Sequence, residues 1–403
     1  MTATAERTQL ATVWKSPAAS YYLLLAATSI LLLVGLAVVL SSSSIFSIRQ
    51  EDGNPWKLFL IQVAALVVGL VAMAVGSRQS VKWWKRVTPL VLGTAVVMLI
   101  LVMFIGTSSG GNQNWLPIGR VTVQPSEIAK LGLALYLGMV LSMFRAELTT
   151  LKRIMVPGGI AAVGVLALVL AGRDMGTAVV LCAIVATAFW VAGMPLRFFV
   201  PVLAVVVVGA TVLVAEGSSR SARIAVWLDP SLCDPQDNCL QTTHGTWALA
   251  SGGLWGLGPG MSREKWGYLP AADNDFIFAI LGEEFGLIGT LLVLLAFAMM
   301  VIAVSRIVRR HHDAFVQIAA AAIGAWIVGQ AVINIAVVLE LLPVTGVPLP
   351  LVSSGGSSMV MSLTAIGVLM AFARHEPGAH EAFSARPSVI RRSLAVVSRG
   401  RRG

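Results

Sequence analysis

Apolar residues run along the chain in long blocks separated by short polar connectors. The blocks fall at about 21–40, 58–76, 89–105, 127–144, 154–171, 176–194, 198–215, 276–304, 314–338 and 359–373. Most approach the roughly 20 residues a helix needs to cross the hydrocarbon core of a bilayer. The pattern predicts an all-α integral membrane protein of about ten transmembrane helices. Residues 1–20 form an N-terminal segment, 21–375 one polytopic domain, and 376–403 a basic tail read as a disordered end. The first block begins at Tyr21 and is long enough to span, so no cleavable signal peptide is expected.

Three segments break the pattern of short connectors. The first is 106–130, GTSSGGNQNWLPIGRVTVQPSEIAK, and the second is 216–275, the one large loop, between spans seven and eight. The third is 340–358, ELLPVTGVPLPLVSSGGSS, too apolar for a solvated loop and too rich in Pro and Gly for a helix. It reads as a re-entrant segment, which is tolerated at membrane depth only where protein or a wet cavity satisfies its backbone. A polar cavity on that side follows.

Composition supports the membrane reading. The chain has 403 residues, 57% hydrophobic and 12% charged, against about 25% charged in soluble domains. The net charge of +10 does not indicate nucleic acid, because the basic residues lie in short clusters between apolar runs. Of the 29 Lys and Arg, all but nine fall on one side if the connectors alternate. That bias places both termini in the cytoplasm and the three irregular segments outside. The basic tail suits anionic lipid.

Charges at or inside a membrane are costly, and each asks for a reason. Glu127 and Lys130 stand at i and i+3 at the start of the fourth span and can pair. Arg173 and Asp174 occupy the tight turn between spans five and six. Asp275 ends the large loop in AADNDFIFAILGEEFG, where a helix N-terminus favours an ionised carboxylate. It reads either as a general base presented outward or as an N-cap, with Asp273 as the other candidate cap. At about 100° per residue, Glu283 and Glu284 cannot both face the same way as Asp275, and at least one is expected to bond a neighbouring helix. Arg223, Arg263 and Lys265 lie in the loop that delivers Asp275, and Arg120 lies in the first outer loop. Such cations beside a carboxylate suit a pyrophosphate substrate. The run SGGLWGLGPG offers backbone N–H groups to phosphate or forms a closely packed turn; both readings stay open. No HExxH, Walker motif or Cys/His metal spacing occurs, and His244 is the lone outer histidine, which argues against a Ser-His hydrolase. Cys233 and Cys239, six apart in the outer loop, are expected to form a disulfide. Cys182 lies in an apolar run and reads as a packing residue.

Taken together, NWLPIGRVTVQPSEIAKL, RDMGTA, LASGGLWGLGPG, LPAADNDFIFAILGEEFG and LLPVTGVPLPLVSSGGSS resemble the SEDS family, the shape, elongation, division and sporulation polymerases of bacteria. The resemblance covers roughly 20–375. GVLMAFARHEP, LPLVSSGGSS and the basic tail resemble the FtsW (cell division) branch more than the RodA branch. The resemblance implies a GT-C-like ten-helix fold and a lipid II glycosyltransferase in the cytoplasmic membrane at the division septum. It places the family's essential aspartate on Asp275 and outer-cavity residues on Trp115, Glu127, Lys130, Asp174, Arg223 and Lys265; Arg120 joins them as a substrate-binding candidate. It implies Mg²⁺ or Mn²⁺, a donor glycan on undecaprenyl pyrophosphate, a class B penicillin-binding protein (an FtsI-like transpeptidase) as partner, and other divisome proteins. Where the family reads HTDF, this chain reads Asp273-Asn274-Asp275, and a second carboxylate is expected to raise the pKa of Asp275. A lipid II flippase and a non-catalytic divisome scaffold are the rival readings.

Overall fold

The computed structural model describes residues 16–50, 54–109, 112–119, 121–145, 155–201, 204, 218–234, 237 and 239–384. Among these, eight helices are long and apolar enough to cross a membrane. They are α1 (Ala19–Gln50), α2 (Lys57–Arg78), α3 (Val81–Ile105), α4 (Pro125–Met143), α6 (Met175–Ala192), α9 (Ile277–Arg310), α10 (Ala314–Val338) and α11 (Gly356–Arg374). The shorter α5 (Ile160–Ala171) fills the predicted fifth span. The span expected at 198–215 lies largely outside the described residues. The remaining α-helices among the described residues are α7 (Ser218–Leu228), α8 (Leu240–Gly252) and a short α12 (Ala379–Ser384).

The fold is not wholly helical. Residues 107–123 form a small antiparallel sheet, β1 (Thr107–Ser109), β2 (Asn112–Ile118) and β3 (Val121–Val123), in that order. Strand pairing satisfies the backbone of a segment too polar and glycine-rich to continue α3.

α10 lies at the centre, with Phe315, Ile323 and Trp326 fully buried, and it packs against α4, α6 and α9. At one end of the bundle, two connecting segments return into it. One is 340–355, as its Pro/Gly content predicts. A Cβ at Gly35, halfway along α1, would lie 2.8 Å from the Leu351 carbonyl oxygen and from Val352 Cα. The segment therefore reaches the middle of a spanning helix.

The other begins with α8, which the sequence places in a surface loop. α8 runs beside the start of α9: Gly245 abuts the Phe276 ring, and Gly252 abuts the Gly282 carbonyl. α9 is broken at Gly286, whose φ of 65° and ψ of −163° are open to glycine. The freed backbone pairs with the turn after α8. Leu257 and Gly258 donate to the Glu283 and Glu284 carbonyls, while Leu287 and Ile288 donate to the Gly253 and Leu254 carbonyls. At 1.5 Å per residue this turn sits about 14 Å below the start of α9. SGGLWGLGPG is thus a closely packed turn whose N–H groups at 256–258 are already bonded. Its Leu254 and Trp255 side chains point outward, exposed on the bundle surface.

Candidate functional site

The turn Asp273–Asp275 lies where the re-entrant segment meets the head of α9. All three backbone carbonyls accept hydrogen bonds. Ser354 N–H donates to Asp273 at 2.9 Å, Ser353 Oγ to Asn274 at 2.7 Å, and Asn334 Nδ2 to Asp275 at 2.7 Å. The segment is itself pinned to spanning helices. Gln62 of α2 donates to Ser353 O at 3.3 Å and accepts from Gly355 N at 3.0 Å. Gln330 of α10 donates to Pro348 O at 2.9 Å. These contacts fix the backbone that carries Asp275 while leaving its carboxylate unspent.

The Asp275 carboxylate is half-buried, and its Oδ1 is fully enclosed with no hydrogen-bond partner. Oδ2 lies 3.7 Å from where a Cβ on Gly346 would stand, and Gly346 has a φ of 71°. A side chain there would be strained and would crowd the carboxylate. Neither aspartate caps α9, whose N-cap position is Phe276 with no side-chain bond. Burial pushes Asp275 up to about 6; the Asp273 charge adds to this, the Arg223 guanidinium opposes it, and Asp174 adds a smaller push. Burial also raises Asp273. The second carboxylate raises Asp275 as the doubled aspartate predicts, but desolvation, which the sequence does not show, is the larger cause and outweighs any pull of the helix N-terminus. A carboxylate near 6 is mostly ionised at neutral pH yet basic enough to take a proton.

Asp174 belongs to the same neighbourhood. It caps α6 by accepting from Thr177 N at 3.0 Å, and it also receives Thr177 Oγ1, Asn114 Nδ2 and Gln124 Nε2. It is a fully bonded anchor joining α6, β2 and the start of α4. Trp115, half-buried on β2, follows Asn114 directly. Arg223 is an exposed residue of α7 within electrostatic reach of Asp275. Arg120 lies outside the described residues.

Glu127 and Lys130 pair as their spacing predicts, at 2.7 Å, with side chains 3% and 2% exposed. Lys130 also reaches Gln330 Oε1 at 3.0 Å and sits over the Trp326 ring. The pair thus underlies the re-entrant segment through Gln330, and Glu127 Oε2 remains buried and unpaired.

Lys265 departs from expectation. Its ammonium is buried and bonded to Glu284 at 3.1 Å, Ser41 Oγ and Gly260 O, so it is not brought to Asp275. Glu284 is its counter-ion and takes the Ser41 hydroxyl of α1, the neighbouring-helix bond expected of one glutamate. Glu283 accepts from Ser262 Oγ, Arg263 N and Glu264 N. Both glutamates hold the 260–265 loop to the broken helix. The Cys233–Cys239 disulfide is present.

Sequence reading missed Gln62, Gln330, Asn334 and Ser353. The available signal for Gln62, Gln330 and Asn334 was an amide within an otherwise apolar span, the last two one turn apart on α10; Ser353 carried no such signal.

Comparison with known proteins places this arrangement. Residues 21–377 match the family FTSW_RODA_SPOVE, described as "Cell cycle protein". The chain is 40% identical over 381 residues to the probable peptidoglycan glycosyltransferase FtsW of Mycobacterium tuberculosis, covering 94% of this chain and 72% of that one. It is 33% identical to the stage V sporulation protein E of Bacillus subtilis, covering 85% and 93%. In fold it is similar to a chain of a peptidoglycan synthase complex, with a TM-score of 0.68 and 23% identity over 85% of this chain and 96% of that one. It is also similar to the rod shape determining protein RodA of Thermus thermophilus, with a TM-score of 0.63 and 22% identity over 87% and 96%. This multi-pass membrane protein belongs to the FtsW/RodA/SpoVE family.

Proposed function

We propose that the chain is a peptidoglycan glycosyltransferase of the FtsW branch, which polymerises lipid II at the outer face of the cytoplasmic membrane with Asp275 as general base. The observation that carries the reading is a half-buried carboxylate with one enclosed, unpaired oxygen and a pKa near 6, on a turn whose backbone is bonded at three successive carbonyls. The names of the relatives support the activity and the branch.

In the proposed reaction the 4-hydroxyl of the N-acetylglucosamine of an incoming lipid II attacks C1 of the donor N-acetylmuramic acid. The C1–O bond to undecaprenyl pyrophosphate breaks as the new C1–O bond forms on the opposite face, inverting α to β. Asp275 takes the hydroxyl proton as the oxygen attacks, which is worth roughly 10² to 10⁴ in rate. Arg223 is the cation placed to meet charge developing on the pyrophosphate. Asp174, Glu127 and Lys130 act by holding the walls of the site. Lys265 serves the packing of the 260–265 loop.

Among the described residues no group of three or more His, Cys, Asp or Glu side chains is placed to hold a metal ion, so the protein alone does not build a cage for the Mg²⁺ or Mn²⁺ that the family resemblance implies. Mg²⁺ is commonly held by one or two carboxylates, waters and substrate phosphates. Asp273 and Asp275 repel each other, and Asp275 as base needs its oxygens free for the proton, so the pair does not form a metal site of its own. Septal location, an FtsI-like class B transpeptidase partner and other divisome proteins complete the proposal; the peptidoglycan synthase complex whose chain shares this fold supports the partnership.

The test is purified protein with fluorescent lipid II, alone and with the transpeptidase, resolved on a gel. Glycan ladders are expected. Movement of lipid II across liposomes with no ladder would establish the flippase instead.

A further inference from the structure

α10 presents Trp326, Gln330 and Asn334 at four-residue spacing, so the three share one face. Trp326 Nε1 donates to Gln330 Oε1 at 3.1 Å, and Gln330 reaches the re-entrant segment at Pro348. One turn further on, the Asn334 amide nitrogen donates twice. It bonds the Asp275 carbonyl and the Val347 carbonyl, both at 2.7 Å. Carbonyl oxygens only accept, so these two partners fix which end of the amide faces them.

Asn334 is 1% exposed, and its Oδ1 is buried with no partner. A buried acceptor left unpaired costs free energy, so stability alone is a poor reason for an amide here. What the amide does provide is a rigid join. Gln62 holds the segment near Ser353 and Gly355, and Gln330 holds it at Pro348. Asn334 holds the point where the segment meets Asp275. Val347 adjoins Gly346, the residue that faces Asp275 Oδ2. One side chain of a spanning helix therefore sets the spacing between the carboxylate and the wall opposite it.

We propose that Asn334 is a positioning residue for Asp275: its two N–H donors lock the turn bearing the base to the re-entrant segment at the depth catalysis requires. The proposal rests on the reading of Asp275 as general base. A base displaced by about 1 Å loses on the order of 10² in rate without loss of substrate binding, so the effect belongs in kcat.

The experiment measures polymerisation against lipid II concentration from pH 5 to 8.5 for wild type, Asn334→Ala, Asn334→Asp and Asp275→Asn, with the transpeptidase present. Asn334→Asp is isosteric; ionised it donates neither bond, and neutral it donates one. Both Asn334 variants are expected to lose about 10- to 100-fold in kcat with KM within about 2-fold. In Asn334→Asp the acidic limb is expected to move above the wild-type position, because another carboxylate disfavours ionisation of Asp275. If Asn334→Ala does not fold, Asn334→Asp alone carries the test. Wild-type kcat in Asn334→Asp with an unmoved limb overturns the proposal. So does a loss confined to KM, or one that tracks melting temperature. An active Asp275→Asn would instead sink the assignment of the base, which separates the two failures.

Discussion

On the proposed reading of Asp275 as the base, Asp273 tunes it, and Asp273→Asn isolates the effect. Asp275 stands at about 6 against an ordinary 3.8, a difference of about 2 pH units or roughly 3 kcal/mol against the ionised form. Burial is the larger cause, Asp273 the second, and Arg223 opposes both, so Asp273 supplies part of the rise, on the order of 0.5–1 pH unit for a neighbouring like charge. The amide removes the charge and keeps the shape. Activity requires ionised Asp275 and is lost as pH falls through its pKa, so the acidic limb should move down by about 0.5–1 pH unit. A weaker base also transfers protons less readily; for a Brønsted slope of about one half the plateau rate falls roughly 2- to 3-fold. At pH 5.5 the two effects nearly cancel, so the position of the limb is the informative quantity, not any single rate. The limb reports an apparent value of the coupled pair. The assay is initial rate of lipid II polymerisation from pH 4.5 to 8. A limb that stays near 6, or rises, would refute the electrostatic reasoning.

Three further outcomes follow from packing. Gly35→Val sets a side chain against the Leu351–Val352 backbone at 2.8 Å and should cut polymerisation more than 10-fold by displacing the re-entrant segment, with retained ladders as the contrary result. Lys265→Met leaves Glu284 buried without its counter-ion; a loss of about 3–5 kcal/mol is expected, seen as a lower melting temperature, whereas unchanged melting with a raised KM for lipid II would return Lys265 to the substrate. Replacing Cys233 and Cys239 by Ser opens a small loop worth about 2 kcal/mol; a melting temperature lowered by a few degrees with polymerisation retained is the expected pair of results.

Much of this architecture is legible in the sequence because hydropathy acts locally. Nine of the apolar blocks appear as helices among the described residues, and Pro343, Pro348 and Pro350 mark the re-entrant segment. Asp275 stands out because a carboxylate at the head of an apolar helix is costly. What stays hidden depends on contacts between residues far apart in the chain. The descent of α8 requires Gly286 to break α9, and a glycine within an apolar run gives no sign of the turn that will pair with it. Lys265 reads as an outward cation until Glu284, 19 residues later, is seen to face it. Of the strands within 107–123, two have three residues each and the third, NQNWLPI, carries a proline and no alternation of polar and apolar positions. Asn334 is one of three amides, with Gln317 and Gln330, in an otherwise apolar span, and only the fold reveals that its two acceptors are the carbonyls of Asp275 and Val347. The Asp273 effect, in contrast, is readable from the doubled carboxylate because one residue alone separates the two.

Removal of a proton by Asp275 during sugar transfer is tested most directly by single-turnover polymerisation of fluorescent lipid II. The protein is Asp275→Asn, first shown to fold and to bind its transpeptidase. No glycan ladder is expected at any pH from 5 to 9, with lipid II binding retained. Ladders formed at a rate within about 10-fold of wild type would contradict the assignment of the base.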